Sequence, residues 1–237
     1  MRGVNEMAGK MYGIGIGPGD PELLTMKAIR LVRECEVIAV PGKVKEDTIA
    51  YKIVIQAVPE MAEKEFLQVD FPMTKDKEKL EASHDAGADA ICAVLDQGKN
   101  IAFLTLGDPT VYSTYLYVHK RVVARGYDVE IVPGITSFCA VAARLNIGLV
   151  EKAEELHVIP ASYQIDEALE FSGTKVLMKA GKQMTHVKKT LKEKGCRAAM
   201  IENCGMPDEK IYPTVDDINE NAGYYSLLIV KDKGEEE

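Results

Sequence analysis

The sequence predicts an α/β protein of two domains, with mostly parallel sheets and a ligand cleft between the domains. Apolar segments of strand length alternate with amphipathic segments of helix length through most of the chain. The alternation starts a second cycle after Pro133 and Gly134, which we take as the domain boundary. The chain has 237 residues, of which 46% are hydrophobic and 28% are charged, the composition of a globular protein with a sizeable core.

The first domain is predicted at residues 11–133, after a flexible leader of residues 1–10. Short apolar runs bounded by glycine and proline predict strands at 11–16, 36–40, 65–71, 100–106 and 128–132. Apolar residues at helical spacing predict helices at 21–33, 47–57, 75–97 and 109–125. Asp20 and Asp108 each precede a proline at a predicted helix start, where Asp suits the N-cap. Asp108 follows the most apolar strand, so it is also placed to hold a ligand's ammonium group.

The second domain is predicted at residues 134–231. It has predicted strands at 154–159, 175–179, 198–202 and 226–230, and an edge strand at 210–213. Its predicted helices are 135–145, 164–171 and 182–193. Residues 232–237 form an acidic tail. The leader and the chain from residue 231 onward lack periodicity, so both ends are predicted to fray.

The glycine-rich segment 13–19 does not match the dinucleotide fingerprint G-x-G-x-x-G. The third glycine would have to stand where the chain has Pro18 or Asp20. A Walker motif is absent as well, because none of the four Gly-Lys pairs precedes Ser or Thr. Both findings argue against NAD and ATP as ligands.

Composition excludes several other classes. The chain has 29 Lys and Arg against 37 Asp and Glu, a net charge of −8, and no basic stripe of the kind that binds nucleic acid. No apolar run approaches the roughly 20 residues of a membrane span, so the chain is predicted to be cytoplasmic. The five cysteines form no C-x-x-C pair and the four histidines are scattered, so no metal site is predicted.

Segment 15–28, GIGPGDPELLTMKA, resembles the N-terminal signature of the tetrapyrrole methylases, the class III S-adenosylmethionine-dependent methyltransferases. Further family landmarks follow in order: LGDPTVYS at 106–113, VPGITSF at 132–138, VLMKAG at 176–181, IENC at 201–204 and YSLLIV at 225–230. The resemblance covers residues 11–230. Within the family, GDPTVYSTY at 107–115, VPG at 40–42 and MKAG at 178–181 look like the branch that methylates C20 of precorrin-2 or cobalt-precorrin-2 (cobalt-factor II) in cobalamin biosynthesis.

The resemblance implies the tetrapyrrole methylase fold, S-adenosyl-L-methionine as cofactor, S-adenosyl-L-homocysteine as product and a homodimer. It implies cofactor contacts from motif residues in both domains. These are Gly107, Asp108, Pro109, Thr110, Val111, Tyr112, Thr136, Ser137, Phe138, Met178, Lys179, Ala180, Asn203, Cys204, Tyr225, Ser226 and Leu227.

The implied substrate carries eight carboxylates, whereas the chain has a net charge of −8, so a local cationic patch must bind it. The candidate substrate residues are Gly17, Pro18, Gly19, Asp20, Lys43, Lys45, Arg144 and Lys182. Methyl transfer to an electron-rich carbon needs alignment more than acid or base catalysis. We therefore assign no nucleophile, and name Tyr112, Lys179 and Tyr225 as candidates for proton removal. The alternatives are another tetrapyrrole C-methyltransferase of the same pathway and a non-enzymatic nucleotide- or effector-binding module.

Overall fold

The computed structural model describes residues 8–160 and 165–232, except for the side chain of Lys182. Residue contacts divide the chain into two units between Thr136 and Ser137. Helices and strands alternate through the first unit and as far as residue 202 in the second, so the predicted α/β class is confirmed.

The first unit contains a five-stranded sheet and four α-helices. Its strands are β1 (Met11–Gly15), β2 (Val37–Pro41), β3 (Glu65–Val69), β4 (Ile101–Thr105) and β5 (Val129–Val132). Its helices are α1 (Met26–Glu34), α2 (Ile49–Ala57), α3 (Lys77–Leu95) and α4 (Tyr115–Ala124), with short 3-10 turns at Pro21–Leu23, Lys45–Asp47 and Pro59–Glu63. The strand order is β3-β2-β4-β1-β5, and every pairing in this sheet is parallel.

The helices cover both faces of the first sheet. On one face α1 and α2 pack against Ile14, Ile38 and Leu104. On the other face α3 and α4 pack against Val37 and Phe103. Side chains that alternate along buried strands supply a core to each face, which explains why the strands read as continuous apolar runs.

The second unit contains β6 (Leu156–Pro160), β7 (Thr174–Met178), β8 (Arg197–Glu202), β9 (Lys210–Tyr212) and β10 (Ser226–Lys231), and the helices α5 (Ser137–Arg144), α6 (Ile165–Ala168) and α7 (Met184–Lys194). A 3-10 turn at Gly181–Gln183 precedes α7. The strand order is β6-β7-β10-β8-β9. The predicted edge strand is present as β9.

The prediction of mostly parallel sheets is wrong for the second unit. Among the described strands of this unit only β6 and β7 pair in parallel, and the other three pairings are antiparallel. A parallel connection needs a crossover of a dozen or more residues, usually a helix. Between Glu202 and Ser226 the chain forms β9 and no α-helix, so β10 returns antiparallel between β7 and β8.

The predicted helix cap at Asp108 is wrong, and the predicted cap at Asp20 is confirmed only for a short turn. Asp20 caps only the 3-10 turn Pro21–Leu23, whereas α1 begins at Met26 behind Thr25, whose hydroxyl accepts a hydrogen bond from the Ala28 N–H. Helix α4 begins seven residues after Asp108, at Tyr115.

Hydrogen bonds and ion pairs anchor two segments that the sequence predicts to fray. Gly9 is buried and its N–H donates to Leu95, while Lys10 forms ion pairs with Asp128 and Glu130. At the other end, Asp232 accepts hydrogen bonds from the Gly173 N–H and from Lys175. Residues 1–7 and 233–237 lie outside the described residues.

Candidate functional site

The carboxyl edge of the first sheet has a topological switch point between β1 and β4. These strands are neighbours, but α1, which follows β1, and α4, which follows β4, pack on opposite faces. Their loops therefore leave the sheet in opposite directions. Ligands of open α/β sheets bind at such a topological switch point, outside the carboxyl ends of the strands. The two segments that contain Gly-Asp-Pro, 15–21 and 107–112, are the loops at this point.

Glycines bring three strand ends close together at this edge. A Cβ on Gly134, after β5, would lie 2.3 Å from the Gly107 oxygen and 2.7 Å from the Gly15 carbonyl carbon. A Cβ on Gly15 would lie 2.5 Å from the Gly134 nitrogen. Gly17 and Gly107 form an isolated antiparallel bridge, with the Gly107 N–H donating to Gly17 at 2.9 Å. The glycines are therefore needed for close backbone contact, which explains why they do not follow a phosphate-binding spacing.

Asp108 joins two of these loops. The residue is buried, and one carboxylate oxygen accepts hydrogen bonds from the N–H (2.8 Å) and the hydroxyl of Thr110. The other oxygen accepts from the Gly134 N–H at 3.0 Å. The carboxylate thus fixes the loop after β4 to the loop after β5.

Two hydroxyls near this edge are buried without a hydrogen-bond partner among the described residues. They belong to Thr105, the last residue of β4, and to Thr136, which follows the loop after β5. Between them in sequence, Gly107 has a φ of +70°, and a Cβ there would meet no described atom within 4 Å. Buried hydroxyls without a protein partner at this edge suit a small polar ligand such as S-adenosylmethionine, which offers an ammonium group, a carboxylate and ribose hydroxyls.

The second unit brings three of the predicted cofactor segments together. Because β10 is antiparallel to its neighbours, its amino end lies beside the carboxyl ends of β7 and β8. Leu227 pairs with Met178, and Ser226 pairs with Glu202. The Asn203 N–H donates to the Tyr225 carbonyl at 3.0 Å. Segments 178–180, 203–204 and 225–227 therefore share one edge of the second sheet.

Residues with left-handed backbone occur in these segments. Tyr112, Lys179 and Asn203 have φ angles of 48°, 61° and 55°. A residue other than glycine costs about 1–3 kcal/mol in such a conformation, and strain of this kind concentrates at functional sites. The three residues carry side chains where the turn alone would favour glycine.

The candidate groups for proton removal have distinct surroundings. Partial burial raises the pKa of Tyr225, so this phenol stays protonated at neutral pH. Its ring packs edge-to-face against Tyr224 at 5.2 Å. The Lys179 ammonium lies 5.8 Å from the centre of the Tyr224 ring. Tyr112 is 45% exposed.

The predicted substrate residues are spread over the molecule. Gly17, Pro18 and Gly19 are buried at the carboxyl edge of the first sheet. The lysines Lys43 and Lys45 lie beyond β2, paired with Asp70 at 3.4 Å and Glu46 at 3.8 Å. Arg144 is the last residue of α5, and it pairs with Glu209 at 2.7 Å. The Lys182 side chain lies outside the described part of the structure.

Sequence reasoning missed two buried polar residues beside the predicted segments, Thr105 and Glu202. Glu202, at the end of β8, accepts hydrogen bonds from the Gly223 N–H at 2.7 Å and the Tyr212 hydroxyl at 3.2 Å, and so anchors the turn before Tyr225. The available signal was a polar residue ending an apolar strand.

A cavity of about 580 Å³ in the second unit lies away from these segments. It is lined by the first residues of β8, including Arg197, and by Ile229 and Lys231 at the carboxyl end of β10. This is the opposite end of β8 and β10 from the edge described above. None of the predicted site residues lines it.

The described residues contain no group of three or more His, Cys, Asp or Glu side chains arranged to hold a metal ion. No helix among them has both the length and the apolar character required to cross a membrane.

Comparison with known proteins gives consistent matches along the chain. The family model of the tetrapyrrole (corrin/porphyrin) methylases matches residues 10–219. A probable cobalt-precorrin-2 C(20)-methyltransferase of Methanocaldococcus jannaschii is 36% identical, over 96% of this chain and 98% of its own length. The cobalt-precorrin-2 C(20)-methyltransferase of Salmonella typhimurium is 31% identical, over 97% of this chain and 99% of its own length.

A solved structure shares the fold. The uroporphyrin-III C-methyltransferase of Thermus thermophilus, complexed with S-adenosylhomocysteine, superposes with a TM-score of 0.67 at 22% identity. The match covers 94% of this chain and 97% of that one. Because the family model spans most of the chain and the relatives align along nearly their full length, the chain belongs to the tetrapyrrole methylases.

Proposed function

We propose that this protein transfers a methyl group from S-adenosylmethionine to C20 of precorrin-2 or cobalt-precorrin-2 in cobalamin biosynthesis. The relatives that bear this activity in their names match the chain along nearly its full length. The structural observation that carries the proposal is the open space beside Gly107, at the switch point of a parallel sheet whose carboxyl edge also bears buried hydroxyls without a partner among the described residues.

The cofactor contacts in this proposal are those expected from the resemblance. In the first unit they are residues 107–112 and Thr136, and in the second unit Ser137, Phe138, 178–180, 203–204 and 225–227. The open space at Gly107 suits close approach of a ligand to the backbone, which a side chain would prevent. Bound S-adenosylmethionine supplies an electrophilic methyl group on a sulfonium.

The work left to the chain is positioning. The donor and the acceptor carbon must be held nearly in line and shielded from water for the transfer to proceed. Asp108 contributes by fixing the loop after β4 to the loop after β5. Tyr225, Tyr112 and Lys179 remain the proposed groups for removing or relaying the proton that the acceptor carbon loses. Because its pKa is raised, Tyr225 suits relay through a neutral hydroxyl better than direct abstraction.

Substrate carboxylates must be bound by local cations, since the chain as a whole is acidic. Lys43, Lys45 and Arg144 each lie near a carboxylate of the protein itself. Binding would therefore exchange one carboxylate partner for another. Gly17, Pro18, Gly19, Asp20 and Lys182 complete the proposed substrate residues.

We also propose that the protein acts as a homodimer in the cytoplasm. All five cysteines are free thiols, and two of them, Cys35 and Cys92, are buried. Burial raises the pKa of Cys35 to about 12, so this thiol is unreactive. Buried free thiols suit a reducing compartment.

The cofactor site can be tested with a pair of glycine variants. Gly107 and Gly126 have φ angles of +70° and +88°, and a Cβ on either would meet no described atom within 4 Å. Gly107→Ala and Gly126→Ala should therefore lower the melting temperature by similar amounts. In titration calorimetry with S-adenosylhomocysteine, only Gly107→Ala should weaken binding, by about tenfold or more. Equal affinity of Gly107→Ala and the parent chain would contradict the proposed placement.

The reaction itself is tested with labelled S-adenosylmethionine and precorrin-2, either metal-free or cobalt-loaded. Mass spectrometry and NMR should locate one new methyl group at C20. A methyl group on another carbon would identify a different tetrapyrrole C-methyltransferase. Binding of an effector without methylation, together with no affinity for S-adenosylhomocysteine, would favour the non-enzymatic module.

A further inference from the structure

The hydroxyl of Thr105 has no hydrogen-bond partner among the described residues, although the residue is only 7% exposed. Leaving a hydroxyl buried and unbonded costs about 1–3 kcal/mol. A methyl group in its place, as in valine, would avoid that cost and suit a β-strand equally well. The presence of the hydroxyl is therefore not explained by the stability of the fold and indicates another role.

Its position is at the switch point. Thr105 ends β4 and pairs in register with Gly15 of β1. Alternation along β4 places it on the same face as Phe103, the face covered by α3 and α4. Gly107, with open space beside it, follows two residues later. The neighbouring carboxylate of Asp108 is already engaged through both oxygens, by Thr110 and Gly134. Thr105 is therefore a polar group at this edge whose hydrogen-bonding capacity is unused.

We infer that the Thr105 hydroxyl hydrogen-bonds to the methyl donor, S-adenosylmethionine, and so helps to select it. The inference rests on the proposed function. The donor fits this position better than the tetrapyrrole does, because the donor is narrow and carries hydroxyl and ammonium groups that can enter a buried site. A macrocycle edged with eight carboxylates needs cations, and Thr105 is neutral.

The experiment compares two threonines of equal burial. Thr190 in α7 is also 7% exposed, but its hydroxyl donates to the His186 carbonyl at 3.0 Å. The variants are Thr105→Val, Thr105→Ser and Thr190→Val in the full chain. Two quantities are measured for each: the melting temperature without ligand, and the dissociation constant for S-adenosylhomocysteine by titration calorimetry.

We expect opposite effects on stability and binding. Thr105→Val should raise the melting temperature by roughly 2–4 °C, because an unbonded buried hydroxyl is removed. It should also weaken S-adenosylhomocysteine binding by about three- to tenfold, the value of one neutral hydrogen bond. Thr105→Ser keeps the hydroxyl and should bind within twofold of the parent. Thr190→Val should lower the melting temperature and leave binding unchanged.

Two results would overturn the inference while leaving the proposed function intact. One is binding by Thr105→Val within twofold of the parent. The other is a melting temperature that falls in Thr105→Val, as it does in Thr190→Val. That result would mean that the Thr105 hydroxyl already forms a hydrogen bond within the protein. Failure of the unmodified chain to bind S-adenosylhomocysteine would overturn the proposed function, and the inference with it.

Discussion

At the scale of single residues, the role of Asp108 in the structure differs most from the helix cap that the sequence predicts. As a helix cap, it would use one oxygen and tolerate replacement by asparagine. In the structure it is a buried bridge between two loops, with the N–H groups of Thr110 and Gly134 on different oxygens. Asparagine has one oxygen and one NH₂ group, so it must point a donor at one of these two donors.

Asp108→Asn should therefore lower the free energy of unfolding by about 1–3 kcal/mol, because a buried N–H loses its acceptor. Chemical denaturation of the ligand-free protein measures this. Thr110→Val is the control. It removes only the hydrogen bond from the exposed Thr110 hydroxyl to Asp108, so it should lower the free energy of unfolding less than Asp108→Asn does. A stability of Asp108→Asn equal to that of the parent would show that the bridge contributes nothing. Because Asp108→Asn perturbs the loops, it is a poorer probe of cofactor binding than Gly107→Ala.

At the scale of elements, an ion pair between a buried lysine and a half-exposed aspartate joins β7 to the end of β10. The side chain of Lys175 is completely buried, and its partner Asp232 is 51% exposed. Burial raises the pKa of Asp232, but hydrogen bonds from Lys175 and from the Gly173 N–H outweigh this and hold the pKa below its usual value. Since the folded-state pKa is depressed, the stability from this carboxylate is present above the unfolded pKa. It is lost as the pH falls through the folded-state value.

Asp232→Asn should destabilise the protein at pH 7 by about 2 kcal/mol, less than for a fully buried pair because Asp232 is half exposed. The difference from the parent should shrink as the pH falls through the depressed folded-state pKa of Asp232, because the parent's carboxylate then becomes protonated. Melting temperatures across this pH range give the comparison. The double variant Lys175→Met/Asp232→Asn removes the buried charge as well, and should recover most of the loss. Equal stability of Asp232→Asn and the parent at pH 7 would contradict this account.

At the scale of the whole molecule, the proposed homodimer makes a direct prediction. Light scattering of the purified protein at micromolar concentration should give twice the chain mass of 26.0 kDa. Two copies that bury apolar helix faces in a two-fold interface would account for that mass. Dilution should reduce the mass only at concentrations below the dissociation constant. A mass near 26.0 kDa at micromolar concentration would count against the dimer.

The sequence predicted the positions of most helices and strands closely, because buried strands and amphipathic helices each have a characteristic local pattern of apolar residues. The errors are concentrated where the chain leaves a strand. Pro109 after Asp108 is typical of a helix start, but residues 109–114 form a loop and α4 begins only at Tyr115. A loop that meets two neighbouring strand ends is stabilised by contacts far away in sequence, such as that of Asp108 with Gly134. Local propensity does not contain this information.

The sequence by itself determined the α/β class, the family resemblance and the segments proposed to bind the cofactor, because each depends on local pattern or on ordered motifs. Tertiary structure decided the antiparallel return of β10, the close contact of Gly15, Gly107 and Gly134, and the unused hydroxyl of Thr105. The physical reason is that strand direction, close backbone approach and hydrogen-bond satisfaction are properties of pairs of distant residues. Each becomes defined only when the folded chain brings those residues together.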